Sequence, residues 1–224
     1  ASTVLSVLRG GKRRQVSLHR WPNSLGHFYS VFTGYLGFRM LEGEYKMMGL
    51  APYGQPVHAD ALLAEILALE AGGRYRLDTT LCDYHAALKG QFHPRLTALF
   101  GPPRAPDEAP TDAHRDLAAS VQHVFERAQM HVLSPLKDSD PDLRRLVVSG
   151  GCALNVTANG RLLEHGLFDE IIIPPAPHDA GCAVGAALAD LALRQVPVDH
   201  AALRLPYQGP VHDEAALASA VAAA

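Results

Sequence analysis

The spacing of apolar residues predicts helices and strands along the chain. Residues 3–8 and 14–19 are apolar-rich runs joined by a glycine-containing turn, which indicates a β-hairpin. From Ser24 to residue 38, apolar side chains recur every three or four positions, which predicts an amphipathic helix with Ser24 as its N-cap. Further predicted elements are a short helix in the first half of 42–54, a helix over 59–70, a short strand over 74–78 and a long helix over 111–133.

The last third of the chain alternates strands and helices. Apolar runs at 146–148 and 171–173 are predicted as buried strands, and helices follow them over 153–165 and 179–194. Continuous apolar strands that alternate with helices are typical of a mainly parallel sheet covered by helices. The sequence therefore predicts an α/β fold with an N-terminal hairpin.

Composition and charge narrow the class of protein. The chain has 224 residues, 48% of them hydrophobic and 19% charged, which is typical of one large or two small folded domains. A net charge of −3, from 20 basic and 23 acidic residues, gives no electrostatic case for nucleic-acid binding. Charges and glycines interrupt every apolar stretch well short of ~20 residues, so we expect no membrane span. Three cysteines are too few for a disulfide framework and indicate a cytoplasmic protein.

The segment VSGGCALN at 148–155 is the strongest local signal for chemistry. A predicted strand ends there in Gly150 and Gly151, and a helix starts directly afterwards. Such a turn lets backbone N–H groups approach a phosphate, and the helix N-terminus adds favourable partial charge. Asn155, in the first helical turn, can reach the same ligand with its amide. The alternative is a tight β–α turn in which the glycines serve geometry alone.

Asp179 follows the second strand of this region, at the mouth of a helix rich in small residues. It is the natural N-cap of that helix, and a carboxylate at this edge of a parallel sheet also suits a divalent cation. Zinc is disfavoured because His178, Cys182 and Cys152 form neither a CxxC nor an HxxxH pattern. Cys152 also lacks an evident base that would make it a nucleophile.

Glu44 and Lys46 are the charged residues of a third segment, GEYKMMGLAPYG at 43–54. They lie near the corner where a predicted helix gives way to a loop. Their chemistry leaves two roles open: they bind polar groups of a nucleotide, or they pair with each other on the surface.

Together these segments resemble one family, the ATP-dependent O-carbamoyltransferases of the nodulation and antibiotic-tailoring type. The resemblance lies in GEYKMMGLAPYG, in SGGCALN and in DAGCAVGAA at 179–187, with further matches at 24–38 and 101–104. These pieces occur in family order and cover most of residues 2–196. The catalytic domain of this family is similar to the tRNA threonylcarbamoyl-transfer protein, within the actin/Hsp70/sugar-kinase superfold.

The resemblance implies a fold and a domain organisation. Residues 1–197 would be the second half of an actin-like (ribonuclease H-like) domain, with a mainly parallel sheet flanked by helices. Residues 198–224 would be a linker and the start of an adenylate-forming domain similar to threonylcarbamoyl-AMP synthases. Because the chain starts at Ala1 and stops in a helical run at Ala224, we expect an internal piece of a longer polypeptide, which would supply the first half of the actin-like domain and the rest of the second domain.

The resemblance also implies a two-stage chemistry. Carbamoyl phosphate and ATP give carbamoyl-adenylate, and the actin-like domain transfers the carbamoyl group to a hydroxyl of a small molecule, such as an antibiotic, a sugar or a Nod-factor-like acceptor. A divalent metal, Fe²⁺ or Mg²⁺, bridges two histidines of an HxxxH segment, an aspartate and the adenylate phosphate. Asp179 matches that catalytic, metal-binding aspartate, whereas this chain contains no HxxxH. Carried over in the same way, the cofactor-binding positions are Gly150, Gly151 and Asn155 for the phosphate and nucleoside, and Glu44 and Lys46 in the segment lining the nucleoside pocket.

Two other functions stay open on the sequence. One is a threonylcarbamoyl transferase acting on tRNA, against which stands the lack of a basic surface. The other is a nucleotide-binding module without chemistry. We expect this chain alone to bind metal and adenylate weakly and not to turn over. A second copy of the chain is a candidate partner.

Overall fold

The structure, a computed structural model, describes residues 2–82, 92–198 and 212–223. The strands are β1 (Thr3–Arg9), β2 (Lys12–His19), β3 (Leu67–Glu70), β4 (Arg74–Leu77), β5 (Arg145–Val147) and β6 (Glu170–Ile172). The α-helices are α1 (Leu25–Tyr35), α2 (Glu44–Leu50), α3 (Ala59–Glu65), α4 (Pro94–Phe100), α5 (Asp112–Ser139), α6 (Val156–Glu164), α7 (Gly181–Leu193) and α8 (Glu214–Ala222). Two short 3-10 helices cover Ala51–Tyr53 and Gly151–Leu154.

Strands pair two by two in the part of the chain that the structure describes. β1 and β2 form the predicted antiparallel hairpin, with an irregularity between Leu5 and Ser6. β3 and β4 form a second antiparallel pair, and β5 and β6 form a parallel pair joined through α6. The prediction of mixed α/β structure is confirmed, but the one parallel sheet among these residues has two strands, and the actin-like fold stays a prediction.

The long helix α5 is the centre of the core. Its apolar face packs against α1, α2, α3 and α6 and against the first hairpin. α1 meets it with an aromatic face, on which Tyr29 lies edge-on to Phe125 of α5 at 5.1 Å between ring centroids. Phe28 and Phe32 are fully buried beside it, and burial of such a side chain stabilises the fold by roughly 1.5–3 kcal/mol. The aromatic stripe predicted on this helix is therefore core packing, and Ser24 caps the helix by accepting from the His27 N–H.

Three helices differ from the sequence prediction by more than three residues. The helix predicted over 59–70 ends at Glu65, because residues 67–70 pair with β4 across a Gly72–Gly73 turn. α4 was not predicted; it starts where His93 accepts from the Arg95 N–H and Pro94 fills the first position. α5 continues past residue 133 to Ser139 and contains Pro135.

The prediction of buried strands in the last third is only partly correct, since Leu146 lies in the core and Ile171 packs against it, but their neighbours are exposed. Val147 on β5 is 65% exposed and Ile172 on β6 is 39% exposed. No side chain of α7 is buried, so this helix does not cover the strands in the described part of the chain. The predicted N-cap is also wrong, because α7 starts after Ala180 with no side-chain cap, so Asp179 does not cap it.

Two further predictions concern the end of the chain and membrane insertion. The proposed domain boundary at 197/198 adjoins residues 199–211, which lie outside the described residues, as do residues 83–91. Among the described helices, none has the combination of length and apolar character that crossing a membrane requires.

Candidate functional site

A cavity of about 520 Å³ opens between α1, α2 and the turn that leads into α6. Its volume lies in the range of small-molecule sites. Four aromatic side chains line it, together with hydroxyl, amide and carboxylate groups. Among the residues that line it are Trp21, Tyr29, Ser30, Glu44, Gly151 and Asn155.

Glu44 places a carboxylate in the cavity wall. It is the first residue of α2, and its Oε1 accepts from the Ser30 hydroxyl at 2.5 Å and from the Leu41 N–H at 2.8 Å. Leu41 has a left-handed backbone (φ 67°), which an apolar side chain rarely adopts, and the bond to Glu44 holds this turn. The second oxygen, Oε2, has no protein partner among the described residues, so it can accept a hydrogen bond from a ligand.

The charge of the lining is acidic. Glu42 joins Glu44 in the wall and pairs with Arg39 at 2.9 Å, and the described lining contains no lysine or arginine. A carboxylate in a partly apolar wall attracts hydroxyl donors and repels phosphate. The cavity is therefore suited to a neutral, hydroxyl-bearing group with a planar apolar part.

The glycine turn that follows β5 is hydrogen-bonded to the segment that follows β6. Gly150 has φ +99°, and its N–H donates to the Pro177 carbonyl at 2.6 Å. The Val148 N–H donates to the Ile172 carbonyl at 3.0 Å, which extends the parallel pairing beyond β5. The two strand ends are thus side by side, and Gly151 follows directly in the cavity wall.

Asn155 closes this turn and starts α6. Its Oδ1 accepts from the Ala158 N–H at 3.0 Å, which is an N-cap bond. The nitrogen of the same amide, Asn155 Nδ2, donates to Gln122 Oε1 of α5 at 2.9 Å. Tyr29 donates to the same Gln122 oxygen at 2.7 Å, and burial raises the pKa of the Tyr29 hydroxyl far above its usual range.

Cys152 lies on the same wall but is not activated. A Cβ built on Gly26, at the start of α1, would stand 3.5 Å from its Sγ, so the thiol packs under that helix. Burial raises the pKa of the Cys152 thiol to about 11, which leaves it protonated at neutral pH. The expectation that Cys152 is no nucleophile agrees with this environment.

Comparison with known protein families shows which family the chain belongs to. A family model described as the N-terminus of carbamoyltransferases matches residues 1–188, which is most of the chain. The chain belongs to the carbamoyltransferase family.

Individual relatives agree with this assignment. An uncharacterised protein of Synechocystis sp. is 43% identical over 185 residues, which are 81% of this chain and 30% of that protein. Nodulation protein NolO of Bradyrhizobium diazoefficiens is 42% identical over 166 residues, 74% of this chain and 28% of its own length. Nodulation protein NolNO of Sinorhizobium fredii is 37% identical over 194 residues, 84% of this chain and 26% of its own length. This carbamoyltransferase chain thus spans less than a third of the length of these relatives.

The structure brings three of the six predicted site residues together. Glu44, Gly151 and Asn155 line the cavity of this carbamoyltransferase chain, and Gly150 adjoins it through the turn. Lys46 lies outside the lining, exposed, with its Nζ 5.9 Å from the centroid of the neighbouring Tyr45 ring. Lys46 and Glu44 form no ion pair, so the surface-pair alternative is wrong.

Asp179 also lies outside the lining, on the exposed segment before α7. Among the residues that the structure describes, no group of three His, Cys, Asp or Glu side chains could hold a metal ion. Asp179 is therefore a single carboxylate, and a stable site for Fe²⁺ or Mg²⁺ needs several ligands. The described residues of this carbamoyltransferase chain do not fit a metal, and we derive no step through one.

Sequence reasoning missed several residues of this site. Ser30 interrupts the aromatic face of α1, and Gln122 is a polar residue between the apolar Val121 and Val124 on the buried face of α5. A polar residue on a buried helix face signals a required hydrogen bond. That signal was present in the sequence, but its partners became visible only in three dimensions.

Proposed function

We propose that the protein transfers a carbamoyl group from an ATP-derived carbamoyl-adenylate, made with carbamoyl phosphate, to a hydroxyl of a small-molecule acceptor. The family supports the transfer, and the names of two relatives as nodulation proteins favour a sugar or Nod-factor-like acceptor, with antibiotics as further candidates. The cavity between α1 and α2 would hold the adenosine part of the adenylate. The observation that carries this assignment is the meeting of Glu44, Gly151 and Asn155 in one wall.

The chemistry of the wall suits a nucleoside. Aromatic side chains such as Trp21 offer planar faces to a base, while the second Glu44 oxygen offers an acceptor to a ribose hydroxyl. The Asn155 amide, which bonds to Gln122 and to Tyr29, lies in the same wall. With no basic residue in the described lining, the phosphate would lie outside the cavity, at the Gly150–Gly151 turn.

In this account the residues of the chain bind and orient the adenylate. The acceptor oxygen forms a bond to the carbamoyl carbon, the bond from that carbon to the phosphate oxygen breaks to release AMP, and the hydroxyl proton passes to water. Holding the nucleoside fixes the position of the carbamoyl carbon beside the turn, which lowers the entropic part of the barrier.

Carbamoyl incorporation tests the reaction. The complete polypeptide that the gene encodes is incubated with ATP and with carbamoyl phosphate labelled in its carbamoyl group. The acceptors are small alcohols and sugars in one reaction and tRNA in another. We expect label in a small acceptor and none in tRNA, consistent with the net charge of −3. Label in tRNA alone would contradict the proposal and favour the threonylcarbamoyl-transferase alternative.

A nucleotide-binding module without chemistry is the second candidate, favoured by the lone position of Asp179. The substitution Asp179→Ala, made in the same polypeptide, separates the two. We expect transfer to fall at least about a hundredfold, because Asp179 matches the catalytic aspartate of the family that the chain resembles. If wild type transfers no carbamoyl group but still binds adenosine, the module is the better description, and full activity of Asp179→Ala would remove Asp179 from the reaction.

A further inference from the structure

The short helix α2 turns one side into the core and another to solvent. Met47 is fully buried on the inner side, whereas the ring of Tyr45 is 64% exposed. Tyr45 also lines the cavity, so its ring stands at the cavity mouth. An aromatic ring in this position offers a ligand both an apolar face and a hydroxyl group.

Gly49 leaves the surface beside this ring open. It lies one turn after Tyr45 on the same side of α2, because residues four apart in a helix are neighbours on its surface. It is exposed, and a Cβ built on it would meet no atom within 4 Å. Its backbone is helical, and alanine is more stable than glycine in a helix, so backbone geometry gives no reason for glycine here. The gap leaves room for a flat ligand to lie along the helix.

The polar group nearest to the ring is a cation. Lys46 holds its Nζ 5.9 Å from the Tyr45 ring centroid and forms no salt bridge within the part of the chain that the structure describes. Its ammonium group is therefore available as a hydrogen-bond donor next to the ring.

An apolar ring face, an open surface and a nearby donor suit a saccharide. A sugar ring has a face of C–H groups, which an aromatic ring covers, and a rim of hydroxyl and ring oxygens, which accept from an ammonium group. Glu42 and Glu44 in the adjoining wall disfavour an anionic ligand. These groups together favour a neutral sugar.

We propose that Tyr45, Lys46 and Gly49 form a platform that binds the acceptor, and that this acceptor is a neutral saccharide. This inference rests on the proposed function, because it assumes that a hydroxyl acceptor meets the adenylate at this cavity. Tyr45 and Gly151 line the same cavity, so a sugar on the ring lies at the mouth through which the carbamoyl group is reached. The adenosine would fill the interior and the sugar the mouth.

Titration calorimetry of the 224-residue chain with two neutral tetrasaccharides, chitotetraose and maltotetraose, tests the platform. The variant Tyr45→Ala removes the ring. Tyr53→Ala is the matched control, since Tyr53 is also an exposed tyrosine, in the 3-10 helix after α2, and does not line the cavity. We expect wild type to bind at least one of the two sugars, with a Kd that rises about tenfold in Tyr45→Ala and stays within about twofold in Tyr53→Ala.

A second pair of variants fills the open surface without removing a side chain. Gly49→Leu places a bulky group beside the ring, and Gly160→Leu, at an equally open and exposed position of α6, is its control. Leucine favours a helix more than glycine does, so both variants should fold. We expect the saccharide Kd to rise at least about tenfold in Gly49→Leu and to stay within about twofold in Gly160→Leu.

The outcomes separate this inference from the proposed function. If wild type binds adenosine but neither sugar, or if Tyr45→Ala and Tyr53→Ala bind sugar equally well, the platform is wrong and the nucleoside site stands. If wild type does not bind adenosine, the nucleoside site itself fails.

The complete polypeptide distinguishes a sugar from a protein segment on this side of α2. With a sugar there, Tyr45→Ala raises the KM for the saccharide acceptor about tenfold, because the lost contact is a binding contact. A lowered Tm with an unchanged KM would mean that protein packs on the ring, which would overturn the proposal.

Discussion

Glu44 and Lys46 stand two residues apart on α2 and relate differently to the cavity. The Glu44 carboxylate is held in the wall by Ser30 and by the Leu41 N–H, whereas Lys46 is exposed beside Tyr45. Glu44→Gln keeps one acceptor oxygen but replaces the charge that a ribose hydroxyl would meet. We expect the Kd for adenosine to rise about tenfold, since a charged acceptor is about twice as strong as a neutral one.

Lys46→Gln is the control for this change, in the same helix and of similar size. We expect its Kd to stay within about twofold of wild type, because its side chain lies outside the described lining. Titration calorimetry on both variants gives the comparison. A larger loss in Lys46→Gln than in Glu44→Gln would reverse the roles that the structure indicates.

A second prediction at this scale concerns His19 and pH. His19 is buried and stacks on Tyr75 at 4.6 Å, and burial lowers its pKa below 6.5, with His131 and Arg74 adding to the effect. Above pH 6.5 the imidazole is neutral in both the folded and the unfolded chain. Below it the unfolded chain binds the proton more readily, so the free energy of unfolding falls as pH drops toward the lowered pKa.

Urea unfolding at several pH values measures this slope. His19→Phe keeps the stacking and removes the titrating group, so we expect a flatter dependence between pH 6.5 and 5 than in wild type. His165→Gln, at an exposed site, is the control and should keep the wild-type slope. An unchanged slope in His19→Phe would mean that other groups carry the acid sensitivity.

Individual caps show how far sequence reasoning reaches at the residue scale. Ser24 was identified correctly because a serine before an apolar-periodic run has one common role. Asp179 has the same local signature, yet the chain turns once more before α7 and the helix starts two residues later. Asn155, predicted as a ligand contact, caps α6. Where a side chain could either cap a helix or contact a ligand, only the interatomic distances in the structure decide its role.

At the scale of elements, the β3–β4 hairpin packs its turn against α5. Gly72 and Gly73 both have left-handed φ, +71° and +69°. A Cβ on Gly73 would stand 2.5 Å from Pro135 Cδ, while a Cβ on Gly72 would meet nothing within 4 Å. The two glycines therefore share the same backbone requirement and differ in available space.

We expect Gly72→Ala to cost about 1–2 kcal/mol for the left-handed backbone alone. Gly73→Ala should cost about 1–3 kcal/mol more, because the methyl group also overpacks against the proline ring. The free energy of unfolding in urea measures both. Equal losses in the two variants would contradict the packing of this turn on α5.

The same hairpin explains a wrong element prediction. Residues 59–70 have the alanine and leucine content of a helix, and local propensity favours one throughout. The chain leaves the helix at Glu65 because residues 67–70 gain strand partners in residues 74–77. Propensity is worth fractions of a kcal/mol per residue, so pairing and burial override it, and only the partner strand reveals this.

For the whole molecule, the buried core and the helix α7 differ in how firmly they are held. The core gathers around α5, whereas no side chain of α7 is buried. Local stability follows buried contacts, so amides of α7 should exchange with solvent at least about a hundredfold faster than those of 117–133. Hydrogen exchange followed by mass spectrometry gives both rates. Equal protection would show that α7 packs against something in solution.

The partly exposed strands β5 and β6 show which features of the whole molecule could not be predicted from the sequence. The apolar runs of β5 and β6 were recognised correctly as parallel neighbours, since their spacing and connection through α6 are local facts. They are buried on one side only, through Leu146 and Ile171, whereas burial on both sides was predicted. An apolar pattern shows that a strand favours burial but does not identify the element that covers it. The cavity could not be predicted either, since α1, α2 and the 151–155 turn are distant in sequence.

A crystal structure of the chain, grown with saturating AMP, tests whether the cavity binds a nucleoside. We expect the adenosine between α1 and α2, with a ribose hydroxyl about 3 Å from Glu44 Oε2, the Asn155 side chain against the ligand and the phosphate at Gly150–Gly151. AMP bound elsewhere on the chain, with Glu44 and Asn155 untouched, would contradict it.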